Sequence, residues 1–195
     1  MPPLDDTALD RLFRTARTFN GYTDEAVTEA DIRAIYALVK MGPTSANQQP
    51  ARFVWLLSGE GKERLAQTAS ANNGPRIRAA PAALIIAYDT EFHEHLPDFF
   101  PHVDARPWFA EPVGRERAAF LNTTLQAAYF IMAARALGFD SGPMTGFDAA
   151  AVDAAFFADQ PNYRSIIIST LGRGDPASIF PRLPRPDFEK FNRIG

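Results

Sequence analysis

No cysteine occurs in the 195 residues, which excludes a disulfide framework, a thiolate nucleophile and cysteine-ligated zinc or iron-sulfur centres. Histidine is nearly as scarce, with three copies, His93, His95 and His102, confined to one stretch. With no G-x-S-x-G elbow and no histidine outside that stretch, a serine hydrolase is not expected. Positive charge is not in excess either. The 20 Lys and Arg against 23 Asp and Glu leave a formal net charge of -3 and a pI near 5.6, so no basic groove for nucleic acid is expected. Long hydrophobic runs are missing: the most apolar region, around 120–137, is interrupted by Asn122, Gln126 and Arg135, and no membrane span is expected. The start, MPPLDDTALDRLF, has acidic residues where an export signal is basic, and it lacks an apolar core and a cleavage site, so a cytoplasmic location is the expectation.

Several motifs fall short. SGEGKERL needs a glycine at position 56 to be a phosphate loop, and Leu56 stands there. No G-x-G-x-x-G follows a strand-like run, so a nicotinamide cofactor is expected to bind transiently if it is used. His93 and His95 would share one face of a strand, but no third ligand is fixed, and surface histidines are the plainer reading; no metal is assigned. GRGD at 172–175 and the sequon at 122–124 both require a secreted protein and are read as chance.

What is present supports one globular domain over residues 1–195, with 46% hydrophobic composition. Leu9, Leu12, Phe13 and Ala16 predict a helix over 5–18. Thr28 followed by Asp31 predicts a capped helix that Gly42 and Pro43 stop. RFVWLL, ALIIAY and SIIISTL read as three interior strands. Helices are expected at about 60–71, 115–137 and 149–158. The second is apolar on nearly every side, which predicts burial all round, in a core or at a subunit interface. Residues 91–114, with four prolines and no period, read as a lid-like insertion, and about 172–195 as a C-terminal arm. Helices around a few strands indicate an α+β or α/β protein in three layers.

Four polar segments lie at the edges of this expected core: ARTFNGY at 16–22, GPTSANQQP at 42–50, SGPMTGF at 141–147, and the tail around Arg182 and Arg185. Guanidiniums suit phosphate, short hydroxyls and amides suit a polyol, and glycines allow backbone N–H groups close to a ligand. In this order the segments resemble the FMN-dependent nitroreductase family, which carries an R-S-x-R-x-F-like start, P-S-x-x-N-x-Q-P-W-x-F before its first core strand, a Gly-rich segment after a long helix, and a basic residue in a C-terminal arm. Asn20 stands where the family has a second arginine. Within the family, AIYALVKMGPTSAN, FPHVDARPWF, GPMTGFD and PRLPR are similar to the malonic semialdehyde reductase branch (RutE type, HadB/RutE).

The resemblance implies an α+β three-layer sandwich with a mainly antiparallel sheet, and an intertwined homodimer with two FMN sites. It places Arg17 and Arg185, helped by Arg182, on the FMN phosphate, with Thr18 and Asn20 beside them. Pro43, Thr44, Ser45 and Asn47 would line the flavin across the interface, and Pro143, Met144, Thr145 and Gly146 would lie near its ring, with backbone N–H groups toward N5 and O4. No side chain is expected to act as a nucleophile. The implied activity is ping-pong hydride transfer from NADH or NADPH to malonic semialdehyde, giving 3-hydroxypropanoate in pyrimidine degradation. Arg106 beside Trp108 would take the substrate carboxylate, unless Arg106 pairs with Asp104 or Glu111 as a loop staple. A broad nitro- or quinone-reductase and a non-catalytic flavin sensor or dimeric module remain the alternatives.

Overall fold

The computed structural model describes residues 2–195. Its helices, in chain order, are α1 (Asp6–Leu9), α2 (Glu29–Val39), α3 (Gly59–Thr68), α4 (Gly74–Ala79), α5 (Leu96–Phe99), α6 (Pro112–Ala136), α7 (Ala149–Phe156) and α8 (Phe188–Phe191). The strands are β1 (Ala51–Leu56), β2 (Ala82–Asp89), β3 (Asp140–Met144) and β4 (Tyr163–Gly172). They form one sheet in the order β1-β2-β4-β3, every neighbouring pair antiparallel, with a register shift between Ile86 and Ala87.

β2 explains the layering. Successive strand residues point to opposite faces, so a strand covered on both sides needs apolar side chains at every position. Ala82, Leu84 and Ile86 face a core shared with α2 and α6, through Ile32, Ile35, Val39, Ala127 and Phe130. Ala83, Ile85 and Ala87 face a second core with Leu65 of α3, Ile77 of α4 and Val152 of α7. The result is a three-layer α+β sandwich. α2 begins at the expected capping box: the Thr28 hydroxyl accepts from Asp31 N at 3.2 Å while Asp31 Oδ2 accepts from Thr28 N at 2.8 Å.

Several expectations are corrected. The sheet has four strands, not three; the additional one, β3, holds Gly142 and Pro143, which local propensity counts against a strand. Proline is tolerated there because β3 is an edge strand and need not donate on both sides. The first helix is one short α-turn followed by a π-turn at Asp10–Arg14, rather than a helix over 5–18, and α4 is an unexpected element. Within one chain α6 is not buried all round, so of the two alternatives a core alone does not cover it. Phe120, Leu121 and Leu125 are 49%, 57% and 41% exposed, whereas Asn122, Thr123 and Gln126 are buried. His93 and His95 do not sit on a strand: they lie in a 3-10 turn at Phe92–His95, and His93 is buried rather than on the surface. The insertion is largely organised, with turns at Phe92–His95 and Arg106–Phe109 flanking α5.

Candidate functional site

The segment between α2 and β1 is held by side chains from α6. Asn122 Oδ1 accepts from Ser45 N at 2.8 Å, Gln126 Oε1 accepts from Ala51 N at 2.9 Å, and Gln126 Nε2 donates to Gln49 Oε1 at 2.6 Å. This is why the long helix buries amides and leaves leucines outside: the amides meet backbone groups that would otherwise go unpaired in the interior. Between these fixed points Ala46, Asn47 and Gln49 have φ of 50°, 47° and 41°, a left-handed conformation that costs non-glycine residues about 1–2 kcal/mol each. The Thr44 hydroxyl, accepting from Gln49 N at 3.2 Å, closes the turn.

A second place is a cleft of 270 Å³ lined by Arg17, Thr18, Asn20, Phe180, Pro181, Arg182, Leu183 and Arg185. Arg17 donates to the carbonyl of Phe180, Arg182 to that of Ala16 at 2.8 Å, and Arg185 to those of Leu183 and Pro184 at 3.0 and 3.3 Å. Among the described residues none of the three guanidiniums is within ion-pair distance of a carboxylate. Three guanidiniums without a carboxylate partner line one cleft in a chain whose net charge is negative, a donor set of the kind that suits an anion. Asn20, in place of the family's arginine, donates to Ser178 O at 3.2 Å and ties the N-terminal segment to the root of the arm.

The third place is the end of β3. A Cβ on Gly142 would lie 2.5 Å from Thr170 Oγ1 and 3.0 Å from Phe19 O, so only glycine lets the 16–22 segment approach the strand. Pro143 and Met144 are half-buried, Thr145 and Gly146 exposed. The Gly146 carbonyl accepts from Ser70 N at 2.9 Å and from Asn73 Nδ2 at 3.0 Å. Ser70, Asn73 and Arg76 were not anticipated from sequence. Arg76 is half-buried, and its guanidinium has no hydrogen-bond or ion-pair partner among the described residues; it lies near enough to Tyr22 to act on that phenol electrostatically, a tertiary fact. Arg17, Thr18, Asn20, Arg182 and Arg185 are thus gathered in one cleft, but neither residues 43–47 nor residues 143–146 line it.

Tyr22 donates to or accepts from Thr170 Oγ1 at 2.7 Å, and burial pushes its phenol up to about 12 from a usual 10. The folded-state value is the higher one, so this contribution to stability is complete below pH 10 and is lost as pH rises through 12. A Tyr22→Phe protein is expected to lose less stability than wild type between pH 10 and 12 in urea titrations; Tyr88, also pushed up to about 12, maintains part of the slope in both. Equal slopes in the two proteins would contradict this assignment.

Within the insertion, Arg106 makes two parallel bonds to Asp104, Nε to Oδ1 and Nη2 to Oδ2, both 2.9 Å. This is the loop staple, with Asp104 rather than Glu111 as partner. The Arg106 bonds hold the Asp104 carboxyl down to about 2. Trp108 is exposed, its ring 5.8 Å from that of Phe100.

A four-stranded antiparallel sheet between helical layers, with a strained polar turn and an arginine cleft at its margins, defines the class of molecule. The chain belongs to the nitroreductase family: the Nitroreductase family profile matches residues 14–173. It is 53% identical over 193 residues to a Stenotrophomonas maltophilia protein bearing the name NADH dehydrogenase/NAD(P)H nitroreductase, covering 98% of each chain. It is 52% identical over 195 residues to a Burkholderia lata protein with the same name, covering 100% of each. In fold it is similar to a Bacillus subtilis protein bearing the name nitroreductase ydfN, with TM-score 0.88 and 22% identity over 98% of this chain and 100% of that one. It is also similar to a nitroreductase-named protein of Exiguobacterium sibiricum, solved in complex with FMN, with TM-score 0.86 and 18% identity over 100% of this chain and 99% of that one.

Proposed function

We propose that this chain is an FMN-dependent NAD(P)H oxidoreductase acting on a small oxidised acceptor. The observation that carries the reading is the cleft of Arg17, Arg182 and Arg185, whose donor set fits a phosphate monoester. Family membership, the NAD(P)H nitroreductase name of the half-identical relatives and the FMN held by the Exiguobacterium protein support it. Bound FMN would supply the hydride chemistry, taking hydride from NAD(P)H and returning it to the acceptor. The chain's own residues bind and orient. Arg17 and Arg185, with Arg182, Thr18 and Asn20, hold the phosphate. Pro43, Thr44, Ser45 and Asn47 line the cofactor from a second copy, and Pro143, Met144, Thr145 and Gly146 offer backbone groups to the ring.

The reading includes a two-fold homodimer. Phe120, Leu121 and Leu125 on α6, with Leu183, Phe188, Phe191 and Ile194 on the arm, are large apolar side chains exposed in one chain, surface that a second copy would cover. The test is the absorption spectrum and released chromophore of the purified protein, with its mass by light scattering. FMN bound to a dimer supports the proposal; a colourless monomer that refuses added FMN sinks it.

Malonic semialdehyde is the specific substrate we propose, with a nitroarene or quinone as the second reading. The resemblance of FPHVDARPWF favours the first, since an aldehyde acid needs a cation for its carboxylate. Because Asp104 occupies the Arg106 fork, the substrate carboxylate must replace it there. An Asp104→Asn protein is therefore expected to show a lower KM for malonic semialdehyde and Arg106→Ala a higher one, each by roughly tenfold, about one charged hydrogen bond; neither should alter KM for an uncharged quinone. Parallel changes with both substrates would remove Arg106 from the substrate site.

A further inference from the structure

Residues 91–111 leave the sheet at the end of β2 and return at the start of α6, and their two ends meet on one side chain. Arg115, in the first turns of α6, is mostly buried. Its Nη2 donates to Glu91 Oε1 at 3.1 Å, and its Nη1 faces His93 Nε2 at 3.2 Å and Phe109 O at 3.4 Å. One guanidinium thus joins the first turn of the insertion to its last. Beneath it, the rings of Phe92 and Phe109 meet edge to face at 5.0 Å, against Tyr88 and Ala119. At the far end Asn47 Nδ2 donates to Phe99 O at 2.8 Å, tying the insertion to the strained turn.

Glu91, His93 and Glu94 present ligand atoms within 4.8 Å of one another, and His93 Nδ1 has no hydrogen-bond partner among the described residues, its nearest carboxylate being Glu91 Oε2 at 3.8 Å. A metal is nonetheless the poorer reading, since Arg115 already supplies a cation to Glu91 and faces the Nε2 of His93. His93 Nε2 also lies 3.4 Å from Glu94 Oε1, so the ring nitrogen stands between a guanidinium and a carboxylate.

We propose that Arg115 is a positioning residue that sets the pose of the substrate-facing insertion, and through it the affinity for the oxidised acceptor. The proposal rests on the reading of the insertion as a lid carrying Arg106 and Trp108. Three acceptors of fixed direction suit a planar fork, which a lysine ammonium cannot reproduce. Without Arg115, the insertion keeps the aromatic pair and the Asn47 tie but loses the clamp at its base.

The test compares holoenzymes of Arg115→Lys, Arg115→Ala and Glu91→Gln with wild type, using a quinone as acceptor. KM for the quinone is expected to rise roughly tenfold in Arg115→Ala, within the range that misplacement of a binding group costs. Lys should restore it partly, Glu91→Gln should fall between Lys and wild type, and flavin content and kcat should be retained. Amide hydrogen exchange of residues 92–109 is expected to accelerate while that of β2 and β4 does not. Unchanged KM and exchange in flavin-replete variants would overturn the proposal, as would a joint loss of flavin, kcat and sheet protection, which marks a general structural role. Should wild type carry no flavin and oxidise no NAD(P)H, the functional reading fails by itself, and the exchange measurement alone then decides whether Arg115 clamps the insertion.

Discussion

A protein carrying Arg17→Ala and Arg185→Ala together is expected to purify almost free of flavin and to bind added FMN at least a hundredfold more weakly than wild type. Each substitution removes a charge-assisted donor, worth about 1.5–3 kcal/mol to an ionised acceptor. The lower end applies here, because Arg185 is exposed and its interactions are screened by solvent. Two donors at that lower end correspond to roughly a hundredfold in affinity. Arg17 also donates to the Phe180 carbonyl, so its loss loosens the arm that brings Arg182 and Arg185 to the cleft, and the two effects should combine more than additively. Fluorescence titration of the flavin-free protein with FMN, and separately with riboflavin, checks this. Riboflavin lacks the phosphate, so its weaker binding should be little changed by the double substitution. FMN binding as in wild type would show that the arginine cleft is not the phosphate site.

Asp89→Ala is expected to cost about 3–5 kcal/mol of stability, the usual result of removing one partner from a buried pair. The Asp89 carboxylate is almost wholly buried and fully used. Its Oδ2 accepts from Arg52 Nη2 at 2.5 Å, and its Oδ1 from Asn162 Nδ2 at 2.6 Å and Glu91 N at 2.8 Å. Alanine would leave the Arg52 guanidinium held against Tyr163, Gln49 and Ala51 with no anion. Because Arg52 also donates to the carbonyl of Gln49, and Glu91 is the root of the insertion, both the strained turn and the lid should loosen before the sheet does. The midpoint of urea unfolding should fall with little change in the denaturant slope. A loss below about 1 kcal/mol would show that the network contributes little.

Neither consequence of Asp89 was visible in ALIIAYDTEF, because Asp89 acquires its meaning from Arg52, 37 positions earlier, and Asn162, 73 positions later. The same distinction runs through the molecule. α2 was legible because its cap and apolar face are local, three and four residues apart. β2 and β4 were legible as interior strands by their apolar runs, whereas β1, expected to be interior for the same reason, is an edge strand of the sheet. The cleft was legible in its residue types, Arg17 near the start and Arg182 and Arg185 near the end, through the order in which four polar segments follow one another.

Other features depended on contacts between distant positions. β3 is a strand because β4 offers it a partner, although its own glycine and proline argue against one. α6 looked apolar all round because its amides lie among leucines and alanines, yet Asn122 and Gln126 turn inward to the backbone of 45–51 while Phe120, Leu121 and Leu125 turn out. Asn20, read as a missing cation, is an amide strap to Ser178. The sequence by itself determined the apolar periodicities, the caps and the supply of guanidiniums, which depend on neighbours within a few residues. Tertiary structure decided which polar groups are buried, which cations remain uncompensated and which edge is free, because each depends on a partner that spacing along the chain does not specify.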